Sequence, residues 1–202
     1  MYQKVDSLEP LINTLWLYDR LHNVRDKRGK IARMIHSGEL LPMRRGLYAT
    51  RPNLHPFGIA ASIYGPSYIS FETALAFYGL IPEAVHEIMS ATLKRNNLFA
   101  NHFGRYRYLK VPRPVYALGI ERIASGSLPY LIASPTKALC DRIALEPRMR
   151  SLSDVQRWLE LMRLNEDINI DGELLQRCAA AYGRPSVRLL CRFAEKHGGV
   201  LQ

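Results

Sequence analysis

Residues Arg25–Tyr48 read RDKRGKIARMIHSGELLPMRRGLY, and the fold turns on how this stretch is read. Ile31, Met34 and Ile35 recur at i, i+3 and i+4, which is the spacing of one helix face. Lys30, Arg33, His36 and Ser37 fall on the opposite side. Gly38 stands where a helix C′ residue belongs, because a residue without Cβ takes the left-handed conformation cheaply. Leu40–Met43 and Leu47–Ala49 are short apolar runs, and Arg44-Arg45-Gly46 between them has the form of a hairpin turn. A cationic amphipathic helix followed by an arginine-tipped hairpin predicts a winged helix-turn-helix. Its helix would enter the major groove, and its hairpin would follow the backbone or reach the minor groove. The helix alone reads equally well as a solvated surface helix. The hairpin close behind it turns the reading towards DNA.

Composition agrees with a polyanionic partner. The chain has 202 residues, 48% of them hydrophobic, a formal charge of +10 and a pI of about 9.7. Residues 1–55 hold 10 Lys/Arg against 5 Asp/Glu, residues 56–148 hold 10 against 6, and residues 149–202 hold 8 against 7. The excess is therefore densest around the basic helix and hairpin. Cys140, Cys178 and Cys191 are too few and too scattered for a disulfide scaffold and are expected as buried thiols. The opening MYQKVDSLEP is charged and has no apolar run, so no signal peptide is expected. The longest stretch without Lys, Arg, Asp or Glu, Pro52–Phe71, is broken by prolines and glycines and does not read as a membrane span. A cytoplasmic location, with no membrane partner, is expected.

The pattern predicts an α+β chain: an N-terminal winged helix-turn-helix over 1–51, a linker at 52–56, and a mixed α/β domain over 57–202 ending in a helical segment, 149–202. In the first part, Val5–Leu17 is expected as a helix capped by Ser7, with Pro10 in its first turn, and Tyr18–Val24 as a second helical piece. The basic helix would be the third. Pro52 and Pro56 mark the linker. Beyond it, Ser70–Tyr78 is predicted as a helix capped by Ser70 and closed by Gly79, with Ala74, Leu75, Phe77 and Tyr78 as its buried face. Val85–Thr92, Phe99–Val111, Val115–Leu118 and Tyr130–Ala133 are predicted strands. Ser134 and Pro135 open a helix through Leu145. Ser153–Leu164, Asp171–Tyr182 and Pro185–His197 are predicted helices.

For DNA, the candidates are Lys27, Arg28, Lys30 and Arg33 on the helix and Arg44 and Arg45 on the hairpin. Such side chains reach guanine edges and neutralise phosphates, and most of the six are expected on phosphates. Gly29 reads either as a site of close backbone approach or as a frayed helix start. Catalytic signatures are missing: there is no GxxxxGK[ST], GxGxxG or GxSxG. No CxxC or HExxH pattern offers zinc ligands, and no lysine has an acidic residue two positions before it. No catalytic residue, metal or cofactor is therefore expected. Lys137 is expected on an exposed helix face, and Asp141, Asp171 and Glu173 in solvated or capping roles.

Three blocks in order carry a resemblance. Tyr68–Pro82, YISFETALAFYGLIP, resembles the strand, serine-capped helix and glycine-leucine-isoleucine-proline block of the AbiEi family, the antitoxins of type IV toxin–antitoxin systems. Ile132–Asp141, IASPTKALCD, is similar to that family's second block, although Thr136 stands where an acidic residue is expected. Gly38-Glu39-Leu40 and Arg44–Tyr48 are similar to the end of its winged-helix domain. The resemblance implies a protein with two roles. The N-terminal domain would bind inverted repeats in its own promoter and repress the operon. The remainder would counteract a nucleotidyltransferase-like toxin. The alternatives are a winged-helix regulator without a toxin, whose larger domain senses a ligand or oligomerises, and an enzyme that docks on nucleic acid.

Overall fold

The computed structural model describes residues 9–82, 86–124, 126, 128–165 and 170–198. The fold is α+β, with two sheets.

The first unit begins with an asparagine that closes one element and caps the next. Leu11–Asn13 is a strand (β1), and the Asn13 side chain accepts from the Trp16 N–H at 2.9 Å, starting helix Thr14–Arg20 (α1). The helix expected over Val5–Leu17 is thereby corrected where the chain is described. Leu11–Asn13 is extended because it pairs antiparallel with residues 47–49, a partner that local pattern does not reveal. Residues 5–8, with the Ser7 cap, lie outside the described residues. The second piece, Tyr18–Val24, is not a helix of its own: Tyr18–Arg20 finish α1, and the chain turns at 21–23.

Lys27–His36 (α2) is the basic helix. Asp26 caps it, its carboxylate accepting from the Gly29 N–H at 2.9 Å. A Cβ on Gly29 would lie 1.9 Å from Asp26 Oδ2, so the glycine admits the cap and the helix start is not frayed. Gly38 has φ +78, and the Leu40 N–H donates to the Met34 carbonyl at 3.1 Å, which turns the chain directly into the hairpin Leu41–Arg44 (β2) and Leu47–Ala49 (β3). Gly46 also has φ +78, as the turn requires. The sheet order is β1-β3-β2, all antiparallel. Ile12, Leu17, Leu21, Ile31, Met34 and Leu40 form a small core of their own, with Trp16 and Tyr18 packed against it.

Met43 and Ala49 face the other way and join the larger core, and Asn101 Nδ2 donates to the Met43 carbonyl at 3.1 Å. The hairpin is thus anchored to the second unit. Residues 52–53 turn, Leu54 is buried in the larger core, and His55 caps helix Pro56–Ile63 (α3) by accepting from the Phe57 N–H at 3.3 Å. Sequence periodicity gave no sign of α3, because it is apolar on nearly every side: Gly58, Ile59, Ala60 and Ile63 are all buried.

The second unit is built on a mixed six-stranded sheet. Its strands are Ser67–Ile69 (β4), Glu87–Thr92 (β5), Asn97–Asn101 (β6), Gly104–Lys110 (β7), Ile120–Ile123 (β8) and Tyr130–Ala133 (β9), in the order β6-β7-β5-β4-β9-β8. The run predicted as one strand, Phe99–Val111, is corrected to a hairpin. It folds back at His102-Phe103, where Asn101 Oδ1 accepts from the Phe103 N–H at 2.8 Å. Val115–Leu118 is not a strand. A 3-10 turn over Arg113–Val115 and further turns lead into β8, because Pro112 and Pro114 deny the ladder its donors. Of the predicted Val85–Thr92 strand, Val85 lies outside the described residues.

The helices are Phe71–Phe77 (α4), Pro135–Ile143 (α5), Leu152–Met162 (α6), Gly172–Tyr182 (α7) and Pro185–Lys196 (α8). Their starts follow their caps. Ser151 and Asp154 form a capping box, Asp171 accepts from the Leu174 N–H at 2.9 Å, and Pro135 and Pro185 sit in first turns. Phe77 is corrected from core to surface, at 44% exposure, while Phe71, Thr73, Ala74 and Leu75 carry the buried face of α4. The three cysteines are free and buried. No helix among the described residues is long and apolar enough to cross a membrane.

Parallel pairing of β4 with β9, Ile69 against Ile132, sets the two helices that follow these strands side by side. Between them sits a buried carboxylate. Asp141 on α5 accepts from the Tyr68 hydroxyl at 3.0 Å, the Ser70 hydroxyl at 2.6 Å and the Tyr182 hydroxyl at 2.5 Å, and it is ion-paired with Lys137. Lys137 and Asp141 have no exposure, which corrects the expectation of an exposed lysine and a solvated aspartate. Ser70 holds the N-cap position of α4 but makes no cap bond, and its hydroxyl donates to Asp141. Burial first, and the neighbouring Asp141 next, push the Tyr68 and Tyr182 hydroxyls far above the ordinary tyrosine range, so both remain donors. Thr136 is buried too, and its hydroxyl accepts from the Asp171 N–H at 3.0 Å, tying α5 to the start of α7.

Close approach limits substitution in α3. A Cβ on Gly58 would lie 2.6 Å from the Leu128 carbonyl oxygen and 2.8 Å from Leu128 Cβ. Gly58→Ala is expected to destabilise the chain by about 1–3 kcal/mol, since overpacking against backbone outweighs the helix propensity gained. Urea unfolding followed by circular dichroism checks this; an unchanged or raised midpoint would contradict the close contact.

Candidate nucleic-acid interface

The fold distributes the six predicted residues between two places. Ile31 and Met34 are buried, which turns the opposite side of α2 outward and leaves Arg28, Ala32, Arg33 and His36 exposed. Lys27 and Lys30 are half-buried. Lys27 leans back on α1, its ammonium 5.8 Å from the centre of the Tyr18 ring. Arg28 is held above its ordinary pKa, first by a hydrogen bond to Tyr18 and then by the charge interaction with it. Tyr18 therefore lies against the first turn of α2. Arg33, one turn on, is exposed.

The other two residues lie at the hairpin tip. Arg44 and Arg45 are both exposed, and Arg44 Nη1 donates to the Arg45 carbonyl at 3.2 Å. The tip is braced from behind, where the Thr14 N–H donates to the Gly46 carbonyl at 3.1 Å and couples the turn to the start of α1. The result is a firm hairpin carrying two guanidinium groups in solvent, joined to a helix whose outer side carries further cations.

Elsewhere the exposed cations are partly claimed. Arg105 and Arg107 on β7 both reach Glu87 on β5, at 2.8 and 2.6 Å. The Arg107 hydrogen bond in particular holds the Glu87 carboxyl below its ordinary range. Arg142 bridges Glu72 and Glu146, each at 2.5 Å. These arginines are already paired with carboxylates. Among the described residues no group of three or more His, Cys, Asp or Glu side chains is placed to hold a metal ion.

One neighbouring feature escaped the sequence reading. A cleft of about 690 Å³ opens between the hairpin tip and the second unit, lined by Arg44, Arg45, Tyr64, Lys94 and Phe99 with the end of α3. Nothing local in Lys94-Arg95-Asn96 announces it, because its other wall is some fifty positions away in the chain. Compared with known proteins, the chain matches no protein-family model and no curated sequence.

Proposed function

We propose that this chain is a DNA-binding transcriptional autorepressor and antitoxin of the AbiEi type, with residues 1–51 as a winged helix-turn-helix that recognises inverted repeats in its own promoter. The observation that carries the reading is the direct run of α2 into a braced hairpin with Arg44 and Arg45 exposed at its tip. Helix and hairpin in that order, closed by a third strand, suit a helix in the major groove and a wing on the backbone. In this reading Arg28 and Arg33 face the DNA most directly, Lys27 and Lys30 support the same side, and the chain acts by binding, not catalysis.

The antitoxin half rests on the two sequence blocks at Tyr68–Pro82 and Ile132–Asp141. They meet at one buried carboxylate, which gives a physical reason for residues of these types to occur together. The rest of the chain, 57–202, then counteracts a nucleotidyltransferase-like toxin. A reading frame for such a chain beside this one separates the antitoxin from a regulator without a toxin.

The test is a salt titration of the full chain on duplex DNA from just upstream of its own start codon. Six phosphate contacts predict that log affinity falls against log salt with a slope of roughly −5. A flat profile, or no binding, would contradict the DNA-binding half.

A further inference from the structure

The cleft beside the hairpin tip has the chemistry of an anion site. Arg44 and Arg45 form one wall and Lys94, on the loop after β5, faces them. No Asp or Glu lines it among the described residues. Three cations held near one another without a carboxylate repel, and a polyanion relieves that repulsion. The contrast with Arg105 and Arg107, both satisfied by Glu87, is direct.

The aromatic lining discriminates between kinds of nucleic acid. Tyr64 and Phe99 would be stacking platforms for unpaired bases if their faces were free. The Tyr64 face is taken: the Lys94 ammonium lies 5.0 Å over that ring, which also packs against Phe99 and Tyr108 at 5.6 and 5.2 Å. The Tyr64 hydroxyl is spent as well, donating to the Arg95 carbonyl at 3.3 Å. The Tyr64 ring thus seats Lys94 on the face that a base would need. The hairpin wall is tied to the second unit, where Asn101 Nδ2 donates to the Met43 carbonyl.

We infer that the DNA-binding face continues past the hairpin tip into this cleft, where Lys94, with Arg44 and Arg45, holds the phosphates of duplex DNA flanking the recognised site. The inference rests on the DNA-binding reading above and extends it to a residue of the second unit. Lys94 neutralises phosphate without reading sequence. It makes the second unit part of the DNA complex, so the two units bind duplex together.

The experiment compares the full chain with Lys94→Gln and Arg122→Gln on the upstream duplex, on a scrambled duplex and on a single strand of the upstream sequence. Lys94 is exposed, and its removal leaves the buried core untouched; equal thermal midpoints check this. Arg122 is an exposed cation on β8, at the sheet edge opposite β6, and matches the change in net charge. Lys94→Gln is expected to make the salt slope shallower by about one on both duplexes, while Arg122→Gln leaves it unchanged. An unchanged slope for Lys94→Gln, with wild-type binding intact, overturns the cleft assignment and leaves the hairpin reading standing. An effect confined to the single strand overturns the duplex assignment. A wild-type chain that binds neither duplex overturns both readings.

Discussion

Asp141→Ala is expected to leave the chain without a stable native state. The carboxylate is fully buried and serves Lys137, Tyr68, Ser70 and Tyr182 at once. Its removal strands the Lys137 charge in the interior, and breaking a buried pair in this way costs about 3–5 kcal/mol. It also orphans three buried hydroxyls, at about 1–3 kcal/mol for each donor left unpaired. Against a native stability of about 5–15 kcal/mol, that sum removes most or all of the folded population. Lys137→Met is the informative companion. It leaves Asp141 with its three hydroxyl donors, so the loss is expected to be smaller, about 3 kcal/mol, and the variant should still unfold cooperatively in urea. Equal midpoints for wild type and Lys137→Met, or a folded Asp141→Ala with unchanged stability, would mean that this cluster does not hold the second unit together.

Arg44→Glu combined with Arg45→Glu should abolish DNA binding without touching the fold. Both side chains are exposed, and the one hydrogen bond lost is that from Arg44 to the Arg45 carbonyl. Two cations at the hairpin tip become two anions against a phosphate backbone. Like-charge juxtaposition costs several kcal/mol, so affinity should fall by at least about 100-fold, each 1.4 kcal/mol being tenfold. The residual binding should show a shallower salt slope. Circular dichroism and thermal unfolding are expected to match wild type. Retained affinity with an unchanged slope would remove the hairpin from the interface.

The sequence was most legible where local chemistry decides the backbone. Ser134 with Pro135, Asp171 and Pro185 mark helix starts, and those helices begin there, while the caps Asp26 and Ser151 were not read from the sequence and the helix expected from Ser153 starts at Leu152. Gly38 and Gly46 end the basic helix and turn the hairpin, as their type requires. It was least legible where a distant partner decides. Leu11–Asn13 reads as helix and is strand because β3 lies beside it. The α3 helix hides because nearly all its residues are apolar, so its exposed side, Ala61 and Ser62, leaves little polar period to read.

The same limit applies to function. Arg33 and His36 stand exposed on the helix as their spacing suggested, and Arg44 and Arg45 on the hairpin, whereas Lys30, read on the same outer side, is half-buried. Lys94 was invisible, since its cleft is assembled from segments about fifty residues apart. Lys137 and Asp141 have the i, i+4 spacing of an ordinary surface pair. Their burial follows from Tyr182, Ser70 and Tyr68, which lie 41, 71 and 73 residues from Asp141 in the chain.

The most direct measurement is a gel-shift titration of the full chain on the DNA immediately upstream of its own start codon, with scrambled duplex of equal length as competitor. Sequence-specific repression predicts a shifted complex that survives about 100-fold competitor, within the usual margin of specific over non-specific binding. A complex that the competitor erases would mean that the basic surface holds DNA by charge alone, and the chain would then be no repressor of its own promoter.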